Sequence, residues 1–136
     1  MYYHTNNMYY LMIPISVLSY DVWFYLIHRM FHHPILYSYH KKHHINVYPT
    51  WLDTFYADKL ENSIMGLGAF FPALYFHNYY LEMMIASFIC FMRGVLHHDK
   101  RFVFLVGDHH LVHHKTFNYN YGSAWIDALM GTRYIL

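Results

Sequence analysis

The residues of this sequence that can do chemistry are its histidines, which number fourteen among 136 residues. Many of them stand three or four positions apart, a spacing that places side chains on one face of an α-helix. One segment has the pattern H-x-x-x-H and two have the pattern H-x-x-H-H: His28–His32, His40–His44 and His110–His114. Neutral imidazole is the commonest metal ligand in proteins and suits iron, zinc, copper and nickel. The repeated spacing therefore predicts a metal site.

The composition indicates a membrane environment. The chain is 57% hydrophobic and 22% aromatic, but only 12% charged, whereas soluble domains carry roughly 25% charged residues. The net charge of +1 gives no indication of nucleic-acid binding. The single cysteine, Cys90, excludes an internal disulfide and any cysteine-ligated zinc or iron–sulfur site.

Three apolar segments predict membrane helices, because about twenty residues span the hydrocarbon core of a bilayer. They cover about residues 8–32, 55–76 and 79–96, and the last two are expected to form a hairpin. The histidine-rich parts, about residues 28–61 and 97–136, are expected to lie outside the bilayer. The sequence thus predicts one all-α integral membrane domain over residues 1–136, with transmembrane helices and a cytosolic histidine-rich helical cap.

The positive charges predict the orientation of this domain. All nine lysines and arginines lie within residues 28–61 or 93–136. The predicted helices place both regions on one side of the membrane, which the positive-inside rule makes the cytoplasmic side. Twelve of the fourteen histidines share that side. His4 and His77 do not, so we expect them not to be ligands.

Asp21 lies inside the first apolar segment, where a carboxylate is costly in lipid. It precedes His28 by two helical turns and so shares its helix face. Asp21 could accept a hydrogen bond that orients a ligand histidine. It could equally make a hydrogen bond that packs two helices, and the sequence leaves both roles open.

The three histidine segments, His28–His32, His40–His44 and His110–His114, resemble the histidine boxes of the fatty acid hydroxylase superfamily. The members of this superfamily are membrane-bound, non-haem di-iron oxygenases. The superfamily includes sterol desaturases, sterol methyl oxidases and lipid hydroxylases. The segment from His109 to Gly122, H-H-L-V-H-H-K-T-F-N-Y-N-Y-G, is similar to the sterol C5-desaturase branch. Further positions match family patterns: Asp21, Tyr25, His98, Asp99, Trp125, Asp127, Gly131 and Thr132.

The resemblance implies metal ligands at nine positions. They are His28, His32, His40, His43, His44, His98, His110, His113 and His114. His97 and His33 are candidates for additional metal ligands. Asp21 and Asp99 are candidates for carboxylates that lie next to the ligands and modulate the metal centre. The chain departs from the family pattern at Asp58, where many relatives carry a further histidine.

Eight or more imidazoles are more ligands than one metal ion coordinates; a structural zinc ion, for example, takes four. The resemblance implies two iron ions, although the spacing alone also allows zinc. The implied reaction uses O₂ to hydroxylate or desaturate a C–H bond of a sterol or fatty acyl lipid in lipid biosynthesis. Electrons would come from an external donor such as cytochrome b5 or ferredoxin, since the sequence has no G-x-G-x-x-G motif and no cysteine cluster. In a eukaryote, the endoplasmic reticulum membrane is the expected location.

Two other functions fit parts of the pattern. The first is a catalytically inactive metal-binding membrane protein of the same fold. The second is a zinc-dependent membrane hydrolase, which the absence of an H-E-x-x-H motif disfavours. The sequence leaves open the identity of the lipid substrate and the choice between hydroxylation and desaturation.

Overall fold

The computed structural model describes residues 7–75 and 78–135, with side chains from Tyr10 onward, and contains no strand among them. Eight α-helices follow one another there: α1 (Asn7–Phe31), α2 (Tyr37–His40), α3 (Lys59–Leu67), α4 (Phe71–Tyr75), α5 (Tyr80–His97), α6 (Val103–Val106), α7 (His109–Thr116) and α8 (Ala124–Leu129). Short 3₁₀ helices lie between them at His43–Ile45, Trp51–Phe55 and Lys100–Phe102. The all-α fold class predicted from the sequence is confirmed.

Two of these helices are long and apolar enough to cross a membrane. The candidate spans are Tyr10–Phe31 in α1 and Tyr80–His97 in α5, and the two helices pack against each other. Each presents a row of exposed apolar side chains spaced at helical intervals, as a lipid-facing surface requires. The rows are Leu11, Leu18, Val22 and Leu26 on α1, and Leu81, Met84 and Phe88 on α5.

The region expected as one membrane helix over about residues 55–76 has a different structure. The Asp58 side chain accepts a hydrogen bond from Leu60 N at 2.8 Å and caps the start of α3, which is only nine residues long. A turn at residues 68–70 separates α3 from α4, and Pro72 stands in the first turn of α4, where proline is tolerated. Neither helix is long enough to span a bilayer. The expected hairpin tip includes Phe76 and His77, which lie outside the described residues, as does His4.

A buried ion pair joins α1, α5 and α8 near the middle of the fold. Asp21 is 3% exposed and pairs with the guanidinium of Arg93 on α5. Trp125 Nε1 donates a second hydrogen bond to Asp21 Oδ2 at 2.9 Å. A carboxylate in an apolar helix needs such partners, because an unpaired buried charge is strongly destabilising. Asp21 therefore has the helix-packing role, and its described hydrogen bonds reach no histidine.

The turn after α3 packs tightly on α1. The indole Nε1 of Trp23 donates to Ile64 O at 3.0 Å, and the Trp23 ring lies edge-on to Phe71 with 4.6 Å between centroids. A Cβ atom at Gly68 would overlap the Trp23 ring, whereas one at Gly66 would meet no atom within 4 Å. Of these two glycines, packing requires only Gly68.

We expect Gly68→Ala to destabilise the protein by about 1–3 kcal/mol, because the methyl group displaces Trp23. The matched variant Gly66→Ala should be neutral or slightly stabilising, because alanine favours the helix. Thermal unfolding of both variants in detergent measures the difference. Equal melting temperatures would contradict this account of the packing.

Candidate metal centre

Nine buried or half-buried histidines converge into two adjoining groups. In each group, one ring nitrogen from every histidine lies within 4.8 Å of the corresponding nitrogen of all the others. We call them the five-histidine group (His28, His32, His40, His44 and His113) and the four-histidine group (His43, His98, His110 and His114). These are the nine positions that the family resemblance implied as ligands.

Short helices distribute these side chains between the groups. His43 and His44 are adjacent on a 3₁₀ helix, so they point in different directions and join different groups. On α7, His113 joins the five-histidine group, whereas His110 and His114, four residues apart, join the other. The H-x-x-H-H pattern therefore supplies ligand candidates to both groups from a single turn.

Hydrogen bonds at Nδ1 fix the orientation of five of these rings. The partners are four backbone carbonyl oxygens, each of which requires the proton to be on Nδ1, and the Glu61 carboxyl group, which requires it when ionised. The pairs are His28 with Tyr121 O (2.5 Å), His113 with Tyr119 O (2.6 Å), His98 with Gly94 O (2.7 Å), His114 with Asn46 O (3.2 Å) and His40 with Glu61 Oε1 (2.7 Å). In a neutral ring, Nε2 then carries a lone pair.

These lone pairs face one another at short range. Nε2 of His28 lies 3.0 Å from Nε2 of His40. In the other group, Nε2 of His98 lies 3.0 Å from Nε2 of His110. With Glu61 ionised, the His28–His40 pair has no proton to share, because both rings hold theirs at Nδ1. In the four-histidine group, the His114 ring holds its proton at Nδ1, and its buried Nε2 has no hydrogen-bond partner among the described residues. A cation between the nitrogens removes the repulsion, so both groups fit metal ions.

Burial keeps the imidazoles neutral. It lowers the pKa of His40 to about 2 and that of His114 to about 3, and neighbouring histidines lower both further. The pKa values of His43, His110 and His113 are also well below the usual range, chiefly because burial disfavours the charged ring. The neutral ring is the form that binds metal, so the groups are ready to do so at neutral pH.

The carboxylate that contacts the histidines is Glu61, which sequence reasoning missed. It is 4% exposed, and its Oε2 atom has no hydrogen-bond partner among the described residues. Burial, with a smaller effect of the nearby Asp58 charge, raises the pKa of Glu61 to about 8. A cation bound at His40 would favour the charged form of Glu61 instead. A signal was present in the sequence, because the family pattern from which Asp58 departs ends in an acidic residue, which Glu61 supplies.

Asp127 was matched to the family, but its role is visible only in the structure. It is fully buried and accepts hydrogen bonds from Tyr121 N (2.9 Å), Gly122 N (2.8 Å), Thr132 Oγ1 (2.7 Å) and His109 Nε2 (3.0 Å). These bonds hold the loop after α7, whose carbonyl oxygens orient two rings of the five-histidine group. The loop also needs a positive φ of 60° at Asn120, a conformation that asparagine tolerates.

The remaining candidates lie outside both groups. His33 is exposed at the end of α1, and the ring of half-buried His97 is 6.5 Å from that of His110, centroid to centroid. Asp99 bonds to Arg101, whose guanidinium holds the pKa of that carboxyl well below its usual range. The described hydrogen bonds of Asp99 and Asp21 reach no histidine of either group, because arginine, a stronger partner, satisfies each carboxylate.

A cavity of about 300 Å³ reaches the histidines from between α1, α3 and α5. Much of its wall is apolar, with Phe24, Phe55, Met65 and Phe91 among the side chains. Rings from both groups also border it: His28, His43, His98 and His110. The arrangement places apolar space directly against the candidate metal positions.

Comparison with known proteins agrees with this site. The family model for fatty acid hydroxylase matches residues 13–132. The chain is 32% identical to methylsterol monooxygenase 1 of Gallus gallus, over 82% of this chain and 42% of that protein. It is 34% identical to the C-4 methylsterol oxidase of Schizosaccharomyces pombe (82% and 43%) and 32% identical to the Delta(7)-sterol 5(6)-desaturase of Leptosphaeria maculans (83% and 33%).

The chain therefore spans less than half the length of these curated relatives. No solved structure matches it. The match to the family model nevertheless covers most of the chain and includes every histidine of the two groups. The resemblance found in the sequence is confirmed, and the chain belongs to the fatty acid hydroxylase family.

Proposed function

We propose that this chain forms the metal-binding part of a membrane oxidoreductase that uses O₂ to hydroxylate or desaturate a C–H bond of a sterol or fatty acyl lipid. The observation that carries the proposal is the contact between two histidine groups and one apolar cavity. An oxidation of an unactivated C–H bond needs both a strong oxidant and a place that holds the lipid against it. We also propose that the histidines lie on the cytoplasmic side of the membrane. The positions of the lysines and arginines in the sequence support this orientation.

The nine histidines would hold two iron ions, one in each group. Neutral nitrogen ligands suit iron, and the family membership supports iron over the zinc that geometry alone also allows. When bound, the two ions would supply the oxidation of the lipid C–H bond by O₂. The histidines would hold the ions, and Glu61 and four backbone carbonyl oxygens would position them: these oxygens accept hydrogen bonds from Nδ1 and so direct the Nε2 atoms of the rings inward.

The cavity would bind the lipid and exclude water. Its aromatic and methionine side chains match a hydrocarbon substrate, and positioning of the C–H bond next to the oxidant lowers the entropic part of the barrier. Exclusion of water protects a strong oxidant from side reactions. Desaturation and hydroxylation would use the same positions, so the geometry serves either outcome.

Electrons would come from an external donor, cytochrome b5 or a ferredoxin. Exposed lysines on the histidine side of the fold offer a surface for an acidic carrier or for phospholipid head groups: Lys41, Lys42, Lys100 and Lys115. Two of them lie over tyrosine rings, with Lys42 Nζ 4.8 Å from the Tyr56 centroid and Lys115 Nζ 5.5 Å from that of Tyr48. Arg101 contributes less, because Asp99 already pairs with its guanidinium.

Lipid analysis under ¹⁸O₂ tests the proposed reaction. Membranes containing the wild-type chain, or the variants His113→Ala and His33→Ala, would be supplied with methylsterols, Δ7-sterols and fatty acids. We expect a new lipid in wild type and in His33→Ala, because His33 lies outside both groups. We expect none in His113→Ala, because His113 belongs to the five-histidine group.

A product that gains ¹⁸O indicates hydroxylation, and one that loses two hydrogens without ¹⁸O indicates desaturation. Identical lipids from wild type and His113→Ala with every substrate would contradict the proposed reaction. If the wild-type chain also contains its full complement of metal, that result would favour a metal-binding protein without catalytic activity.

Glu61→Gln should weaken metal binding by about tenfold, because a buried carboxylate that orients a ligand imidazole typically contributes that much or more. Glu82→Gln is the matched control, since it makes the same substitution at a residue of α5 that belongs to neither histidine group and does not line the cavity. Competition with a chelator measures both affinities. Equal affinities for Glu61→Gln and wild type would rule out a role for the Glu61 charge.

A further inference from the structure

Gly94 lies in the last turns of α5 and lines the cavity beside the four-histidine group. It stands one helical turn before His98, and its carbonyl oxygen accepts a hydrogen bond from His98 Nδ1 at an N···O distance of 2.7 Å. The same residue is part of the cavity wall. Its α-carbon therefore lies where a lipid would meet the histidines.

The space beside Gly94 is open. A Cβ atom there would meet no atom within 4 Å. Gly122, which also lines the cavity, is different, because a Cβ atom there would lie 3.0 Å from side-chain atoms of Ile126 and Tyr25. Packing thus explains glycine at position 122 but not at position 94. A glycine inside a helix is less stable than alanine, so the residue at 94 needs another reason.

The cavity extends along two helices toward the histidines. On α1, Tyr20, Phe24 and His28 line it at intervals of four residues. On α5, Cys90 and Gly94 line it at the same interval and His98 follows as the residue that ends the helix, so both helices present one face to the cavity. The Phe24 ring lies 5.2 Å from the His28 ring, centroid to centroid. Gly94 and Phe24 thus both line the cavity within one helical turn of a histidine that borders it.

We propose that Gly94 is a specificity-determining residue that makes room for a rigid, fused-ring lipid beside the four-histidine group. A flexible acyl chain can bend away from an added side chain by rotation about its single bonds, whereas a fused ring system cannot. The inference rests on the proposed function for its chemistry, but the binding of the lipid can be measured without turnover.

Photolabelling tests this role directly. Purified protein would be irradiated with a diazirine-bearing sterol or a diazirine-bearing fatty acid, and labelled cavity peptides would be quantified by mass spectrometry. Gly94→Leu should lower labelling by the sterol about tenfold or more, since overpacking of this size excludes a ligand by that order. Labelling by the fatty acid should fall less. Metal content is measured alongside as a check that the fold persists.

Two further variants separate steric exclusion from damage to the fold. Ser87→Leu adds bulk to the same helix at a half-buried position that does not border the cavity, and should leave labelling unchanged. Gly94→Leu combined with Met65→Ala returns volume to the cavity and should restore part of the sterol labelling. If the Gly94→Leu variant loses its metal, the smaller substitution Gly94→Ala is tested in its place. Reduced sterol labelling of Gly94→Ala at full metal content would then support the proposal.

Unchanged sterol labelling in Gly94→Leu, or in Gly94→Ala where that variant decides, would overturn the inference. So would a wild-type protein whose cavity peptides the sterol does not label. Reduced labelling without any ¹⁸O or desaturated product would leave the role of Gly94 intact and reject the proposed reaction instead.

Discussion

The structure depends on one constraint: nine neutral imidazoles are held together, and five of them have Nδ1 hydrogen-bonded on the outside and Nε2 directed into the two groups. Such an arrangement is repulsive without a cation, so the surrounding chain must impose it. It does so at the opposite side of the rings, where Nδ1 protons bind backbone carbonyl oxygens and the Glu61 carboxylate. The site is thus prepared for metal by hydrogen bonds that metal does not provide.

The supporting contacts form successive layers. Asp127 holds the loop that presents the carbonyl oxygens of Tyr119 and Tyr121, and through them it orients His113 and His28. Farther along α1 and α5, the pair of Asp21 with Arg93 fixes the two membrane helices that carry the site and its cavity. Polar groups in an apolar helix are costly, which makes this pairing a condition for the helices to pack at all.

The sequence predicted the parts of the site that depend on helix geometry. The intervals of three and four residues were enough to find His110, His113 and His114, because α7 is regular there. His98 came from the family resemblance rather than from spacing, since a single histidine has no periodicity. Residues 55–76 form two short helices, α3 and α4, instead of one membrane helix, and apolar content alone did not predict this division. The turn between the helices packs Gly68 against Trp23, a contact between distant parts of the chain.

The contacts that orient the rings were also beyond the sequence. Backbone carbonyl oxygens carry no residue signature, and the choice of Glu61 over Asp21 or Asp99 depends on which carboxylates arginine already occupies. Local periodicity therefore identifies which side chains converge. Tertiary contacts decide what holds them in place.

The most direct measurement is the metal content and coordination of the purified protein, by elemental analysis and X-ray absorption. The account predicts two ions for each chain, with nitrogen as the dominant protein ligand at both and no sulfur. The predicted shells differ, because one group offers five imidazoles and the other four. A single ion for each chain, no bound metal, or a shell dominated by carboxylate oxygen or sulfur would contradict the account.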